Sequence, residues 1–222
     1  MINARKPGVV PVLVTTVLLA VTPAYAKHHK KHAAEASTPG RFDYYVLSLS
    51  WSPQHCASAD RQDDAQCGIR RYGFVLHGLW PQDERGYPES CATTMLSNST
   101  VEKMLDIMPS PELVRHEWAK HGTCSGLSAD AYFAAARGAF GAVKIPAAYE
   151  SPRAAFQTSA DDVERSFQGS NPNLRGDGMA VLCRGRFLQE VRICLDKDLQ
   201  PRVCSHDVHD VCRGTVMVRP VR

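Results

Sequence analysis

Residues 42–51, FDYYVLSLSW, alternate and are rich in aromatic and β-preferring side chains, and this pattern predicts a strand. Tyr72–Leu76 predicts a second strand, which delivers His77 to its end, and Phe187–Leu195 (FLQEVRICL) predicts a third. The stretch Pro111–Cys124, PELVRHEWAKHGTC, predicts a short helix. Pro111 suits the first turn, where its missing N–H has no partner to lose, and Gly122 suits the position just past the end. Ser99 followed by Glu102 predicts a capping box opening a helix to about Met108. Asn98-Ser99-Thr100 is also formally a glycosylation sequon, which the cap explains equally well. Ser128–Phe140 is Ala-rich and helical, and Ser159 with Asp162 caps a helix to about Gln168. Hairpin-like strands with segregated helices define the α+β class, built on a central antiparallel sheet.

The N-terminus breaks this pattern. Arg5 and Lys6, the apolar run Val9–Val21 and Ala24-Tyr25-Ala26 make residues 1–26 a secretory signal with a mature start at Lys27. The apolar run is short for a bilayer span and no later stretch reaches that length, so an exported protein, periplasmic or extracellular and free of the membrane after cleavage, is expected. Residues 27–40, KHHKKHAAEASTPG, form a basic, His-rich tail that can chelate a metal or brush a polyanion, but a solvated terminus accounts for it. Residues 41–222, about 180 in all, suit one domain without repeats or long linkers.

Export changes how charge and cysteine read. The formal charge of +3 includes Arg5 and Lys6, so the mature chain has 24 basic against 23 acidic residues, or +1. Bulk charge therefore does not mark a nucleic-acid binder. All 8 cysteines lie in the mature chain, and an even number in an oxidising compartment implies a disulfide framework. No C-x-x-C pair occurs, which argues against a zinc ribbon or a thioredoxin-type site. Spacing alone leaves 105 connectivities open.

The helix 111–121 concentrates chemistry. At about 100° per residue, Lys120, Glu117 and His121 fall at about 40°, 100° and 140° from His116, with Trp118 pointing the other way. Four ionisable groups thus share less than half of one helix. A zinc-protease helix needs two His four apart, whereas His116 and His121 are five apart, which turns the imidazoles away from a shared ion. Gly73–Pro81, GFVLHGLWP, adds a second imidazole-bearing segment with His77 and Trp80 at a sheet rim. His55, His206 and His209 read as surface or structural residues.

HGLWP followed by HEWAKHGTC closely resembles the two active-site segments of the ribonuclease T2 family, and the likeness extends to FDYYVLSLSWSPQHC and LQEVRICLD. The resemblance implies a ribonuclease T2-like fold and a metal-independent endoribonuclease of broad specificity, with single-stranded RNA as substrate, DNA excluded, no cofactor and a monomeric state. It implies His121 as the base taking the 2′-OH proton and His77 as the acid protonating the leaving group. His116 would bind phosphate, and Glu117 and Lys120 would stabilise the transition state. Trp80 and Tyr87 would stack on a base. Gln82 stands where many relatives have an Asp that accepts a hydrogen bond from the base. An amide both donates and accepts, so weak base preference is expected. The implied disulfides are Cys56–Cys67, Cys91–Cys124, Cys183–Cys212 and Cys194–Cys204.

The chemistry stands without the family. Cleaving RNA by its own 2′-OH needs a base, an acid and cationic or protonated groups around a phosphorane. Two imidazoles titrating near neutrality can supply the first two, each worth roughly 10² to 10⁴ in rate. Lys120 can neutralise charge developing on the phosphoryl oxygens. Glu117 is the odd member beside a phosphate: protonated it can donate to a phosphoryl oxygen, and charged it can orient Lys120 or an imidazole. The competing readings are a non-catalytic RNA-binding relative, which the full set of five polar side chains speaks against, and a zinc hydrolase using His116, Glu117 and His121.

Overall fold

The computed structural model describes Met1, residues 37–58 and residues 64–221. The signal segment and most of the 27–40 tail lie outside the described residues. Residues 37–58 and 64–221 belong to one folded unit. Its strands are β1 (Tyr44–Trp51), β2 (Phe74–Gln82), β3 (Phe156–Thr158), β4 (Met179–Arg184), β5 (Phe187–Leu195) and β6 (Val216–Val218). The helices are α1 (Ser52–Ser58), α2 (Asp64–Cys67), α3 (Asn98–Glu102), α4 (Pro111–Lys120), α5 (Ala129–Ala142), α6 (Ala147–Glu150) and α7 (Ala160–Ser170). The sheet runs β2-β1-β5-β6-β3, with β4 along β5 on the side opposite β1. All pairings are antiparallel except a single parallel bridge between β5 and β6. This is the α+β class expected.

Strand β1 lies between β2 and β5 and is buried on both faces. Tyr45, Leu47, Leu49 and Trp51 join the main core with Trp118, Tyr132, Phe133, Tyr149 and Phe167 from the helices. Tyr44 and Val46 face the other way, into a small cluster with Ala180, Cys194 and Val208. That second face carries the candidate site. Full burial of one such aromatic or aliphatic side chain is worth about 1.5–3 kcal/mol, so the sheet is a rigid floor for whatever stands on it.

Strand β2 differs from expectation in a way that matters. It does not end before His77 but continues to Gln82. Ser48 pairs with Gly78 and Leu49 with Leu76, so His77 is the extra residue of a β-bulge. The Leu76 N–H leaves the ladder and donates to the Ile107 carbonyl at 2.9 Å. A bulge shifts the inside–outside alternation by one residue. Leu76 and Leu79 can therefore both point into the main core, while His77, Trp80 and Gln82 share the opposite face. The Tyr132 hydroxyl donates to the Leu79 carbonyl at 2.8 Å and ties α5 to this point.

The helix caps follow the sequence with one correction. Ser128 and Ser159 cap α5 and α7 by accepting from Ala131 and Asp162 N–H. Helix α3 is capped by Ser97, not Ser99, because the Ser97 hydroxyl accepts from Thr100 N–H at 3.1 Å. Ser99 already lies inside the helix and Glu102 is its last residue, so no capping box forms. The helix stops there instead of reaching Met108. Met104, Leu105 and Ile107 donate three residues back, to Val101, Glu102 and Met104, a tight turn geometry that does not propagate as an α-helix. Four disulfides are present: Cys56–Cys67, Cys91–Cys124, Cys183–Cys212 and Cys194–Cys204.

Candidate active site

Helix α4 starts as the sequence indicates, with Ser110 accepting from Leu113 N–H at 3.3 Å and Pro111 in the first turn. Its end also falls where expected, with His121 the C-cap and Gly122 just past it, but Gly122 opens a 3-10 turn to Cys124 without a positive φ. Gly122 is required for closeness, since a Cβ there would lie 2.5 Å from Trp118 Cε3 and 2.9 Å from Tyr132 Cε1. The Cys91–Cys124 bridge and a 2.7 Å bond from Ser90 N–H to the Lys120 carbonyl hold this end against residues 90–91.

His77, Trp80, Gln82, Tyr87, His116, Glu117, Lys120 and His121 line one cleft of about 460 Å³. The structure thus brings together every cleft residue singled out in the sequence. Glu117 is 1% exposed and His121 7% exposed, so His121 is buried and not, as a helix-surface residue would be, outside the packed interior. His116 is exposed and Lys120 partly so. Trp80 is the hub. Its Nε1–H donates to Glu117 Oε2 at 2.6 Å, and the His77 and His121 rings each lie 5.2 Å from its ring centroid. A Cβ on Gly78 would overlap both Glu117 Oε2 and Trp80 Nε1, so only glycine lets strand and helix meet here.

His77 sits between two carboxylates. Its Nε2 is 3.5 Å from Glu117 Oε1 and its Nδ1 is 3.6 Å from Glu190 Oε2. Burial by itself lowers the His77 pKa, but the Glu190 contact and the charges of Glu117 and Glu190 outweigh it, and the net shift is upward. His121 moves the other way. Burial, reinforced by Lys120, His116, His77 and Arg192, brings it down to about 3. Burial also pushes Glu117 up against the opposing pull of His77 and the Trp80 hydrogen bond. One imidazole is favoured as the cation and the other is held neutral, a division that suits acid–base chemistry at mild pH.

Tyr87 is 50% exposed, its ring 6.0 Å from that of His121 and 5.8 Å from Lys120 Nζ. The Gln82 amide donates to the Gly86 carbonyl at 2.7 Å, and the Gly86 N–H donates to Asp207 at 2.7 Å. The loop carrying Tyr87 is therefore gripped on both sides of one residue. Lys120 Nζ also lies 3.6 Å from Glu89. His206 and His209 are exposed on a turn, and His55 lines a separate hollow on the other side of His77. Among the described residues, no group of three His, Cys, Asp or Glu is arranged to hold a metal ion.

Sequence reasoning missed Glu190, Arg192, Ser48 and Asp207. The available signal was in FLQEVRICL, where Glu190 and Arg192 stand two apart and so share a strand face. Arg192 lies 4.9 Å over the Trp80 ring.

The family model described as the ribonuclease T2 family matches residues 42–204. A ribonuclease of Aeromonas hydrophila is 44% identical over 172 residues, covering 76% of this chain and 78% of that protein. Two solved structures are similar in fold. An RNase-related protein from Calystegia sepium has a TM-score of 0.67 at 24% identity, covering 81% of this chain and 97% of its own. RNase NT in complex with 5′-AMP has a TM-score of 0.61 at 22% identity, covering 81% and 98%.

Proposed function

This chain belongs to the ribonuclease T2 family of metal-independent RNA-cleaving enzymes, and from that premise we propose that it cleaves single-stranded RNA through the substrate's own 2′-OH. Neutral His121 takes the 2′-OH proton as the 2′-oxygen bonds to phosphorus. The P–O5′ bond breaks and His77, in its cationic form, gives its proton to the departing 5′-oxygen. The products are a 2′,3′-cyclic phosphate and a free 5′-OH. Water then opens the ring to a 3′-phosphate, with His77 accepting a proton from water and His121 returning one to the 2′-oxygen. The observation that carries this reading is geometric: two imidazoles share one cleft, the His77 and His121 rings each 5.2 Å from that of Trp80, with His77 set between Glu117 and Glu190 and His121 buried beside the cationic Lys120.

Lys120 and His116 bind the phosphoryl oxygens, and Glu117, hydrogen-bonded by Trp80, stabilises the charge shift in the transition state. Tyr87, half exposed, is the stacking surface for a base, worth roughly 1 to 3 kcal/mol. Trp80 has Arg192 over its ring and its N–H engaged by Glu117, so it forms the wall of the base site instead of a free platform. Gln82 has its amino group engaged by Gly86 and leaves an uncharged oxygen for the base, in keeping with broad base preference. DNA lacks the nucleophile and is not a substrate. The cleft is complete within one chain, which supports a monomeric enzyme. Residues 1–26 read as the export signal and 41–222 as the catalytic domain, to which residues 38–40 are tied by a bond from Gly40 N–H to the Cys124 carbonyl at 2.8 Å, and four disulfides suit an oxidising compartment.

The test is incubation with single-stranded RNA, its 2′-O-methyl counterpart and single-stranded DNA in EDTA, with end groups read by mass spectrometry. Only RNA should be cut, with cyclic phosphates preceding 3′-phosphates. Cleavage of DNA at a comparable rate, or loss of RNA cleavage in EDTA, refutes the reading.

A further inference from the structure

Beneath the cleft, Glu190 is a buried carboxylate in the middle of a sheet, 4% exposed. An ion in that position is costly unless it is well partnered. Its partners are specific. Ser48 Oγ donates to Oε1, Arg192 Nε donates to the same oxygen at 2.7 Å, and Oε2 faces His77 Nδ1 at 3.6 Å. Cross-strand register fixes the arrangement, because Ser48 on β1 pairs with Arg192 on β5 and Glu190 is two residues away on the same face. Glu190 does not line the cleft. Nothing in the two cleft-lining segments accounts for it.

We propose that Glu190, held by Ser48 and Arg192, is the positioning residue for His77: it retains the Nδ1 proton and so leaves Nε2 as the nitrogen that exchanges a proton with the substrate. The inference rests on the reading of His77 as the acid. Nδ1 is the buried nitrogen, and Nε2 approaches Glu117 on the cleft side. The partner of one ring nitrogen decides which proton the other can give. During cleavage the Nε2 proton passes to the 5′-oxygen while the Nδ1 proton stays facing Glu190. The resulting neutral imidazole is then the correct tautomer to accept a proton from water in the second step. The bulge at His77 supplies the geometry, since in an unbroken strand His77 and Trp80, three residues apart, would stand on opposite faces. The charged and titratable groups around His77 are Glu117 and His121 from the α4 segment, Glu190 and Arg192 from β5, and Arg184 and His55 along the adjoining hollow.

Glu190 favours the His77 cation and Arg192 opposes it. The experiment follows the His77 imidazole by NMR titration in the free enzyme for wild type, Glu190→Gln and Arg192→Gln. Glu190→Gln should lower its midpoint by about one unit, and Arg192→Gln should raise it. The alkaline limb of kcat/KM should move down with the midpoint in Glu190→Gln, with KM for a dinucleotide changed by less than about twofold. A midpoint unmoved in folded Glu190→Gln overturns the proposal, as does a neutral His77 of the wild type that carries its proton on Nε2 by ¹⁵N chemical shift, the measurement that decides should Glu190→Gln not fold. A midpoint that moves while the kcat/KM limb stays put leaves the positioning network intact and removes His77 from the acid role, so the two failures are distinguishable.

Discussion

His121→Gln should separate stability from activity through pH. The His121 imidazole is 7% exposed and held near a pKa of about 3, against an ordinary value of 6.5. Between those values the unfolded chain binds a proton that the folded chain does not. The folded pKa is depressed, so stability rises with pH across this window and falls as pH drops from about 6.5 towards 3. From pH 7 to pH 4 the loss integrates to roughly 3 kcal/mol, a large share of a typical folding free energy. Replacing the imidazole with an amide removes this titration. The packing cost of the substitution is present at both pH values and cancels in the difference. The assay is urea unfolding of wild type and His121→Gln at pH 7 and pH 4, disulfides intact. Wild type should lose roughly 3 kcal/mol more than the variant on acidification. Equal losses in the two proteins would mean that His121 is not held neutral, and the base assignment would lose its physical support.

Three other outcomes are expected. The kcat/KM profile should be broad, held up at acid pH because His121 stays neutral to about pH 3 and falling only above the raised pKa of His77; a sharp optimum with an acid limb near 6.5 contradicts this. Gly122→Ala should cost about 1–3 kcal/mol in thermal unfolding and lower kcat, because the new Cβ pushes on Trp118 and Tyr132 beside His121; a variant with wild-type Tm and kcat refutes that packing argument. Mass mapping of a non-reduced digest should find Cys124 paired with Cys91, and Cys91→Ser with Cys124→Ser should destabilise by about 3–4 kcal/mol, the loop-closure value for a separation of 33 residues; Cys124 found free or paired elsewhere contradicts the framework.

Much of the scaffold is legible in local chemistry. Strand β5 spans the predicted stretch Phe187–Leu195 from end to end, and Pro111 and the serine caps mark where α4, α5 and α7 begin. These features depend on neighbouring residues, which a sequence displays. His77, Glu117 and His121 are visible as chemistry, but their environments are not. The bulge at His77 comes from a register slip against β1, a non-local pairing. Glu190 is buried within the sheet because Ser48 and His77 reach it from other strands and Arg192 from its own, partners that the sequence of β5 alone does not display. The depressed pKa of His121 needs the burial that tertiary packing creates. Polar residues become a site only through partners distant in the chain.

The two imidazoles divide the labour of proton transfer, and one pair of substrates separates their roles. Uridine 3′-(4-nitrophenyl) phosphate carries a leaving group that departs without protonation, whereas the 5′-oxygen of a dinucleotide needs an acid. His77→Ala should lose at least about 10² in kcat on the dinucleotide but less than about tenfold on the nitrophenyl ester. His121→Ala should lose at least about 10² on both, because each still needs a base at the 2′-OH. Equal losses for His77→Ala on the two substrates, or recovery of His121→Ala on the ester, would contradict the assignment.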